Sequence, residues 1–345
     1  MRIAHILWGL TTGGIETMLV NIINHQVESH EVELIIVNDY YHSSLTKQLS
    51  SKCKLVQCHR KIGSKNPIPI LRLNLYLLRS RPDIVHLHSK GLSRLIIIPC
   101  KKVRTIHNTN NQCDEYPKMK RLFAISKAVQ DFTKKQGFES VLVENGIPVN
   151  SFVQKEEQWK STGPLHIVQI GRLYINQKGQ HILIKAIDKI VHQHHIQDIC
   201  VHFIGEGEDE QKLKDMINAG KLERYFVFEG VKSQQFLMQH LKDYDLLIQP
   251  SLYEGFGLTV AEAMAAKLPV LVSDIEGPME IIENGKYGLT FHSNDPDALA
   301  TSIIQFMNNG LSDEIIEKAH QVVAQKYDIS LTAENYIKQY QEVIE

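Results

Sequence analysis

A chain of 345 residues is longer than one hydrophobic core ordinarily serves, which points to two domains. Apolar residues at 43% and charged residues at 22% match a folded globular protein and exclude disordered, collagen-like and coiled-coil chains. The net charge of −1 conceals a division: residues 1–155 hold 22 Lys and Arg against 11 Asp and Glu (+11), and residues 156–345 hold 16 against 28 (−12).

In chain order, short apolar runs alternate with longer segments of helical periodicity, the βαβ rhythm of a parallel sheet. Strands are predicted at Ile3–Leu7, Glu33–Val37, Ile84–His88, Arg104–His107, Leu122–Ile125 and Val141–Glu144 in the first half. In the second half they are predicted at Leu165–Ile170, Cys200–Ile204, Phe226–Glu229, Leu246–Gln249 and Val270–Ser273. Their near-continuous apolar character suits strands covered by helices on both faces. The polar stretch from Gln154 to Pro164 reads as a linker, and Ser330–Glu345 reads as an amphipathic terminal helix. The fold class is therefore α/β, with two doubly wound Rossmann-like domains, a basic one over 1–155 and an acidic one over 164–328, followed by a helix over 329–345. The longest apolar runs, such as Leu95-Ile96-Ile97-Ile98, are only strand length, and MRIAHILWGLTTGG has no small-residue cleavage site. Neither a membrane span nor export is expected. Five cysteines without C-x-x-C spacing suggest no disulfide framework and no thiolate zinc site, and a reducing cytoplasm fits.

Four sequence features carry chemistry. After the first strand, Gly9-Leu-Thr-Thr-Gly13-Gly14 opens a helix whose amides favour a phosphate, although the glycines suit a tight turn equally well. After Leu165–Ile170 come Gly171-Arg172-Leu and Gln177-Lys178-Gly179, an Arg and a Lys able to converge on one diphosphate: the guanidinium fork takes two oxygens and the ammonium adds a point charge. In Pro250-Ser-Leu-Tyr-Glu254-Gly255-Phe256-Gly257-Leu258-Thr-Val-Ala-Glu262, one carboxylate sits in a glycine loop and the other in the helix that follows. Both can address the C-terminal sheet edge where α/β ligands bind, and carboxylates pair well with vicinal hydroxyls, so one suits a donor sugar and the other a ribose. Glu262 reads equally as a solvent-facing helix residue. Asp83-Ile-Val-His86-Leu-His88 ends a strand, and alternation sends both imidazoles to one side. A metal there lacks an evident third ligand and would be opposed by Lys90, and His192-Gln-His194-His195 reads as solvated helix-end histidines.

These motifs in register, together with Gly205-Glu-Gly207, Phe228-Glu-Gly230, Asn145-Gly146-Ile147 and Gly277-Pro-Met-Glu280, resemble the retaining family-4 glycosyltransferases of GT-B fold across essentially the whole chain. The resemblance implies that Glu254 contacts the transferred sugar and Glu262 the ribose. It implies that Arg172 and Lys178 hold the diphosphate, and that Gly14 beside Gly13 approaches it from the other domain. His88 would lie beside the donor sugar, and Gly230-Val231 would line the base pocket. It further implies a C-terminal helix crossing back to the N-terminal domain, retention of anomeric configuration, and no cofactor or metal, the nucleotide sugar being a substrate. The expected reaction moves a sugar from a nucleoside diphosphate sugar, UDP before GDP, to a saccharide or lipid-linked saccharide hydroxyl in capsule, O-antigen or exopolysaccharide synthesis. A nucleotide-sugar epimerase and a non-catalytic nucleotide-sugar-binding protein are the alternatives; a nicotinamide dehydrogenase is disfavoured by the missing G-x-G-x-x-G. Lys52, Lys54, Arg60, Lys61, Lys65, Arg72, Arg79 and Arg81 arrive with no acidic residue among them. Interleaved with leucines from Leu71 to Leu78, they suggest peripheral docking on an anionic membrane; no nucleic acid is expected.

Overall fold

The computed structural model describes residues 1–11, 13–109, 114–160 and 163–345; Cys113, and Ser161 and Thr162 of the expected linker, lie outside the described residues. The chain forms two compact units, Met1–Ile147 with Asp328–Glu345, and Pro148–Tyr327.

The first unit is a seven-stranded parallel sheet of β1 (Arg2–Leu7), β2 (Glu31–Asn38), β3 (Lys54–Arg60), β4 (Ile84–Leu87), β5 (Lys102–Ile106), β6 (Arg121–Ala124) and β7 (Val141–Leu142), in the order β3-β2-β1-β4-β5-β6-β7. Its crossovers include α1 (Gly14–Gln26), α2 (Ser43–Thr46), α3 (Ile68–Ser80) and α4 (Lys127–Lys135). Ala4, Ile6, Ile35, Val37, Val85 and Leu87 form one face of the core with Leu73 and Leu77 of α3. Strand alternation turns His5 and His86 to the opposite face.

The second unit is a six-stranded parallel sheet of β8 (Leu165–Ile170), β9 (Ile199–Ile204), β10 (Phe226–Gly230), β11 (Leu246–Gln249), β12 (Val270–Ser273) and β13 (Leu289–Phe291), in the order β10-β9-β8-β11-β12-β13. Its helices are α5 (Ile175–Lys178), α6 (Gln180–His192), α7 (Glu210–Ala219), α8 (Gln234–His240), α9 (Leu258–Ala265), α10 (Glu276–Ile281), α11 (Pro296–Asn309) and α12 (Asp313–Lys326). Leu165, Ile167, Val201 and Phe203 on one sheet face pack against Ile187 of α6 and Ile303 of α11. In both units the strand order reverses beside the first strand, at β1/β4 and at β8/β11, which opens a crevice at the strand C-termini.

The polar stretch after Val153 is bonded into the second unit instead of hanging as a linker. Val153 N–H donates to Met238 O at 2.8 Å and Lys155 N–H to Ala266 O at 2.8 Å, and Trp159 stacks on Phe306 with centroids 6.1 Å apart. The break between the units falls earlier, between Ile147 and Pro148.

After α12 the chain returns to the first unit as α13 (Ile329–Ile344), which packs on α1. Tyr336 and Tyr340 are fully buried there, Thr332 Oγ1 donates to Glu144 O at 2.9 Å, and Arg121 Nη1 donates to Gln339 Oε1 at 2.6 Å. A methyl on Gly146 would stand 2.4 Å from Thr332 Oγ1 and 2.9 Å from Ile329 Cα, so only glycine lets the helix start come this close. No helix among the described residues is long and apolar enough to cross a membrane.

Candidate active site

In the second unit the strand-order reversal brings together the corner after β8 and the loop after β11. Lys178, the last residue of α5, makes an ion pair with Glu254, and both side chains are mostly enclosed. Gln249 Nε2 at the end of β11 lies 3.4 Å from the same Glu254 oxygen, while its Oε1 accepts from Thr259 Oγ1 at 2.9 Å. Gln169 Nε2 donates to Lys178 O at 2.9 Å and Gln180 Nε2 to Arg172 O at 3.0 Å, fixing the backbone on either side of the corner. Arg172 itself is exposed, next to Gly171, with no ion-pair partner among the described residues. A free arginine and a carboxylate-matched lysine on one strand-to-helix corner can receive a polyanion.

Gly255, Phe256 and Gly257 lead from Glu254 into α9, which opens at Leu258. Gly257 has φ +109°, a conformation that favours glycine, and it lets the chain turn directly into the helix. Phe256 is buried edge-to-face against Tyr327, with ring centroids 5.3 Å apart, so its side chain anchors the loop. One turn into α9, Glu262 is 8% exposed, which overturns its reading as a solvent-facing helix residue. Burial pushes its carboxyl up to about 7, opposed by a hydrogen bond with Gln234 at the start of α8. Gly230 ends β10 and Val231 follows it, both exposed, a few residues before that glutamine. Glu262 and the Gly230-Val231 segment are thereby joined through Gln234.

The first unit holds the remaining predicted residues. His86 and His88 do share a side, with rings 4.1 Å apart, and a third imidazole that sequence reasoning missed, His5 of β1, joins them. His5 Nε2–H donates to Gln26 Oε1 at 2.8 Å, so its Nδ1 accepts from His88 Nε2–H at 2.9 Å, and Nδ1 of His88 remains the acceptor of that ring. His86 is held by Tyr340 Oη at 2.5 Å and Thr105 Oγ1 at 2.7 Å, and Tyr336 Oη lies 2.9 Å from Thr105 Oγ1. Burial drives His5 and His107 down to about 4, and burial and neighbouring imidazoles hold His86 and His88 well below the usual range. The cluster is uncharged at neutral pH. At the N-terminus of α1, Gly13 is the cap and Gly14 the first helical residue, but the Glu16 carboxylate folds back against Gly13 and accepts from Thr11 Oγ1 at 3.2 Å. An anion already stands where a phosphate was expected, and a phosphate would have to displace it.

Comparison with known proteins assigns both units. Residues 151–325 match the family model described as "Glycosyl transferases group 1", and residues 12–151 match "Glycosyltransferase Family 4". The chain belongs to the family-4 glycosyltransferases of GT-B fold. An uncharacterized glycosyltransferase of Methanocaldococcus jannaschii is 31% identical over 180 residues, 52% of this chain and 45% of that protein. A poly(ribitol-phosphate) alpha-N-acetylglucosaminyltransferase of Staphylococcus aureus is 30% identical over 198 residues, 56% of this chain and 39% of that protein. The chain thus spans less than half the length of these two curated relatives. Among solved structures, Anabaena HepE in complex with UDP-glucose superposes with a TM-score of 0.79 at 18% identity, covering 99% of this chain and 100% of that one, a likeness of fold.

Two Asp-x-Asp spacings occur in this glycosyltransferase, and both serve structure. Asp245 accepts from His166 N–H at 2.9 Å and pairs with Lys155, and Asp243 accepts from His240. Asp295 caps α11, and Asp297 pairs with Lys189 at 2.7 Å. His192 Nε2–H donates to Gly220 O at 3.0 Å, the helix-end role expected of it. The cationic run is not one surface. Lys52 pairs with Glu28 and Lys54 with Glu33, and Arg60 donates to the neutral oxygens Asn38 Oδ1 and Ser64 O, so of this run only Lys61, Lys65, Arg72, Arg79 and Arg81 lack a side-chain partner among the described residues.

Proposed function

We propose that the chain transfers a sugar, with retention of anomeric configuration, from a nucleoside diphosphate sugar to a hydroxyl of a saccharide or lipid-linked saccharide acceptor. Capsule, O-antigen or exopolysaccharide synthesis is the setting. The observation that carries this reading is the corner where Lys178, paired with Glu254, packs against Gly171, the residue before exposed and unpartnered Arg172. When a diphosphate arrives, Lys178 exchanges its carboxylate for phosphate oxygens, and Glu254 is released to accept from the hydroxyls of the transferred sugar. Arg172 and Lys178 then stabilise the charge that grows on the leaving diphosphate as the anomeric C–O bond breaks, worth roughly 3 kcal/mol per well-placed donor. The acceptor hydroxyl attacks from the same face and loses its proton to the departing phosphate. No protein nucleophile and no metal enters this scheme. Buried Glu262 takes the ribose hydroxyls, Gly230 and Val231 flank the base, and neutral His88 stands by the donor sugar. UDP is preferred to GDP, in line with the UDP-glucose held by the Anabaena protein.

The test is a panel of UDP-, GDP- and ADP-sugars scored by thermal stabilisation, followed by NMR of the product anomer. Stabilisation by none would remove the donor reading, and an inverted product would remove retention. Free UDP released only in the presence of acceptor separates transfer from epimerisation, and binding without any turnover would leave a nucleotide-sugar-binding protein.

Peripheral attachment to the inner face of the cell membrane is part of the same proposal. α3 buries Leu73 and Leu77 but turns Ile68, Leu71 and Leu78 outward, each more than half exposed, among Arg72 and Arg79. Exposed apolar residues among unpaired cations suit an anionic leaflet, to which each cation adds about 1 kcal/mol. Vesicle co-sedimentation should show binding to anionic and not neutral vesicles, weakened by salt and by joint neutralisation of Arg72, Arg79 and Arg81. Equal partitioning to both, or to neither, would refute it.

A further inference from the structure

On the second unit, the sheet face opposite the core carries a set of ligating side chains unconnected with sugar transfer. His166 on β8 and Cys200 on β9 are register partners, and His202 follows Cys200 by two residues, so all three project from one face. His166 Nδ1 lies 3.1 Å from His202 Nε2, Cys200 Sγ lies 3.4 Å from the same nitrogen, and the three ligand atoms fall within 4.8 Å of one another. Tetrahedral zinc, with bonds of about 2.05 Å to nitrogen and 2.3 Å to sulfur, separates its ligands by about 3.3 Å for N···N and 3.6 Å for N···S. The spacings found are only a few tenths of an ångström shorter.

The surroundings select the tautomer that metal binding needs. His202 Nδ1 lies 3.1 Å from Glu229 Oε1 on β10, so Nδ1 carries the proton and Nε2 presents its lone pair to the cluster. A carboxylate behind a ligating histidine is the usual supporting arrangement of zinc sites. Glu229 is itself held by Lys232 Nζ at 3.1 Å, and the Tyr244 ring stands edge-on to His202 at 5.2 Å. All three ligands are partly accessible, so an ion has a way in. His166 lies some five residues, roughly 16 Å, back along β8 from Gly171, at the end of the strand remote from the donor corner.

We propose that His166, Cys200 and His202 form a zinc site, with Glu229 orienting His202 and water as fourth ligand. On binding, the zinc–sulfur bond replaces the Cys200 S–H bond and one proton leaves to solvent; the His166 proton moves to Nε2, freeing Nδ1 for the metal. The ion ties β8 to β9 and requires nothing of the transfer chemistry.

Cobalt(II) added to the untagged, chelator-stripped full chain should give a thiolate-to-cobalt charge-transfer band that saturates at one equivalent and is bleached by zinc. Cys200→Ser, nearly isosteric, should lose the band while keeping the metal-free far-ultraviolet spectrum, and zinc should raise the melting temperature of the wild type but not of this variant. Glu229→Gln should keep the band and bind 10- to 100-fold more weakly. Absence of the band, or its survival in Cys200→Ser, would overturn the site. Zinc affinity unchanged in His202→Gln would place the ion elsewhere and overturn it equally, and unchanged affinity in Glu229→Gln would remove the orienting carboxylate.

Discussion

At the strand-order reversal of the first unit stand imidazoles that burial keeps uncharged, whereas at the same reversal of the second stand a lysine, a carboxylate and an unpartnered arginine. The sheets share their topology up to β7, so strand order does not decide the electrostatics. What covers the strands does. In the first unit α1 and α13 close over His5 and His86, and with water excluded the residues there must be satisfied as neutral hydrogen-bonded groups. In the second unit a glycine loop and a one-turn helix leave Arg172 in solvent, where charge is cheap to keep and free to meet a ligand.

The largest expected effect follows from pH, because the two units should respond with opposite sign. His5 and His107 have native values near 4 against 6.5 unfolded, so between those limits the unfolded chain binds more protons, and the first unit loses stability as pH falls from 6.5 towards 4. Two such groups make this several kcal/mol at most. Glu262, near 7 when folded against 4.5 unfolded, binds its proton more tightly in the native state, so its contribution weakens the second unit as pH rises from 4.5 to 7. The two tryptophans separate these signals, Trp8 lying in the first unit and Trp159 in the second. Denaturation followed by fluorescence in Trp8→Phe and Trp159→Phe should show the opposed slopes, and slopes of the same sign would contradict the contrast.

Next in size is the charged corner. Arg172→Ala or Lys178→Ala should lower kcat/KM by on the order of 10²-fold or more, with the fold intact. Turnover at the wild-type rate in Arg172→Ala would show that the open guanidinium has no part in transfer. Within the same unit, Glu262→Gln should weaken bare nucleoside diphosphate by about tenfold and flatten the pH slope of the second unit, while Glu254→Gln spares the nucleotide and impairs transfer. Calorimetry giving equal losses for both would merge the two roles. Smallest is Tyr340→Phe, which removes one hydrogen bond from His86 and should cost the first unit about 1 kcal/mol, read by urea denaturation through Trp8.

Strand interiors were readable in the sequence because both faces are buried: Leu165–Ile170, Leu246–Gln249 and Val270–Ser273 match residue for residue. Two of the four edge strands escaped. β3 is polar along most of its length, with Lys54 and Arg60 at its ends, and β13 has three residues, too few for a pattern. Arg172, Lys178, Glu254 and Glu262 stood out because glycine corners mark them in the sequence. His5, Gln26 and Tyr340 did not, since they meet only through strand order and a helix more than 200 residues further on. The zinc ligands escaped for the same reason, a Cys-x-His on one strand completed by a histidine from its neighbour. The polar stretch before Trp159 misled because a few backbone bonds and one indole suffice to fasten a polar segment.

The return of α13 to the first unit has a consequence for synthesis. When Ile147 leaves the ribosome, the sheet of the first unit is complete but the helix that seals His86 and Thr105 does not yet exist; residues 148–327 come first. At 5–20 residues per second that interval is roughly 10–35 s. Throughout it the nascent first unit exposes the face that Tyr336 and Tyr340 will later cover, the kind of open apolar and polar surface that chaperones hold. The second unit is complete once Tyr327 has been added, one helix ahead of α13, so the unit that comes first in the message is the last to be finished.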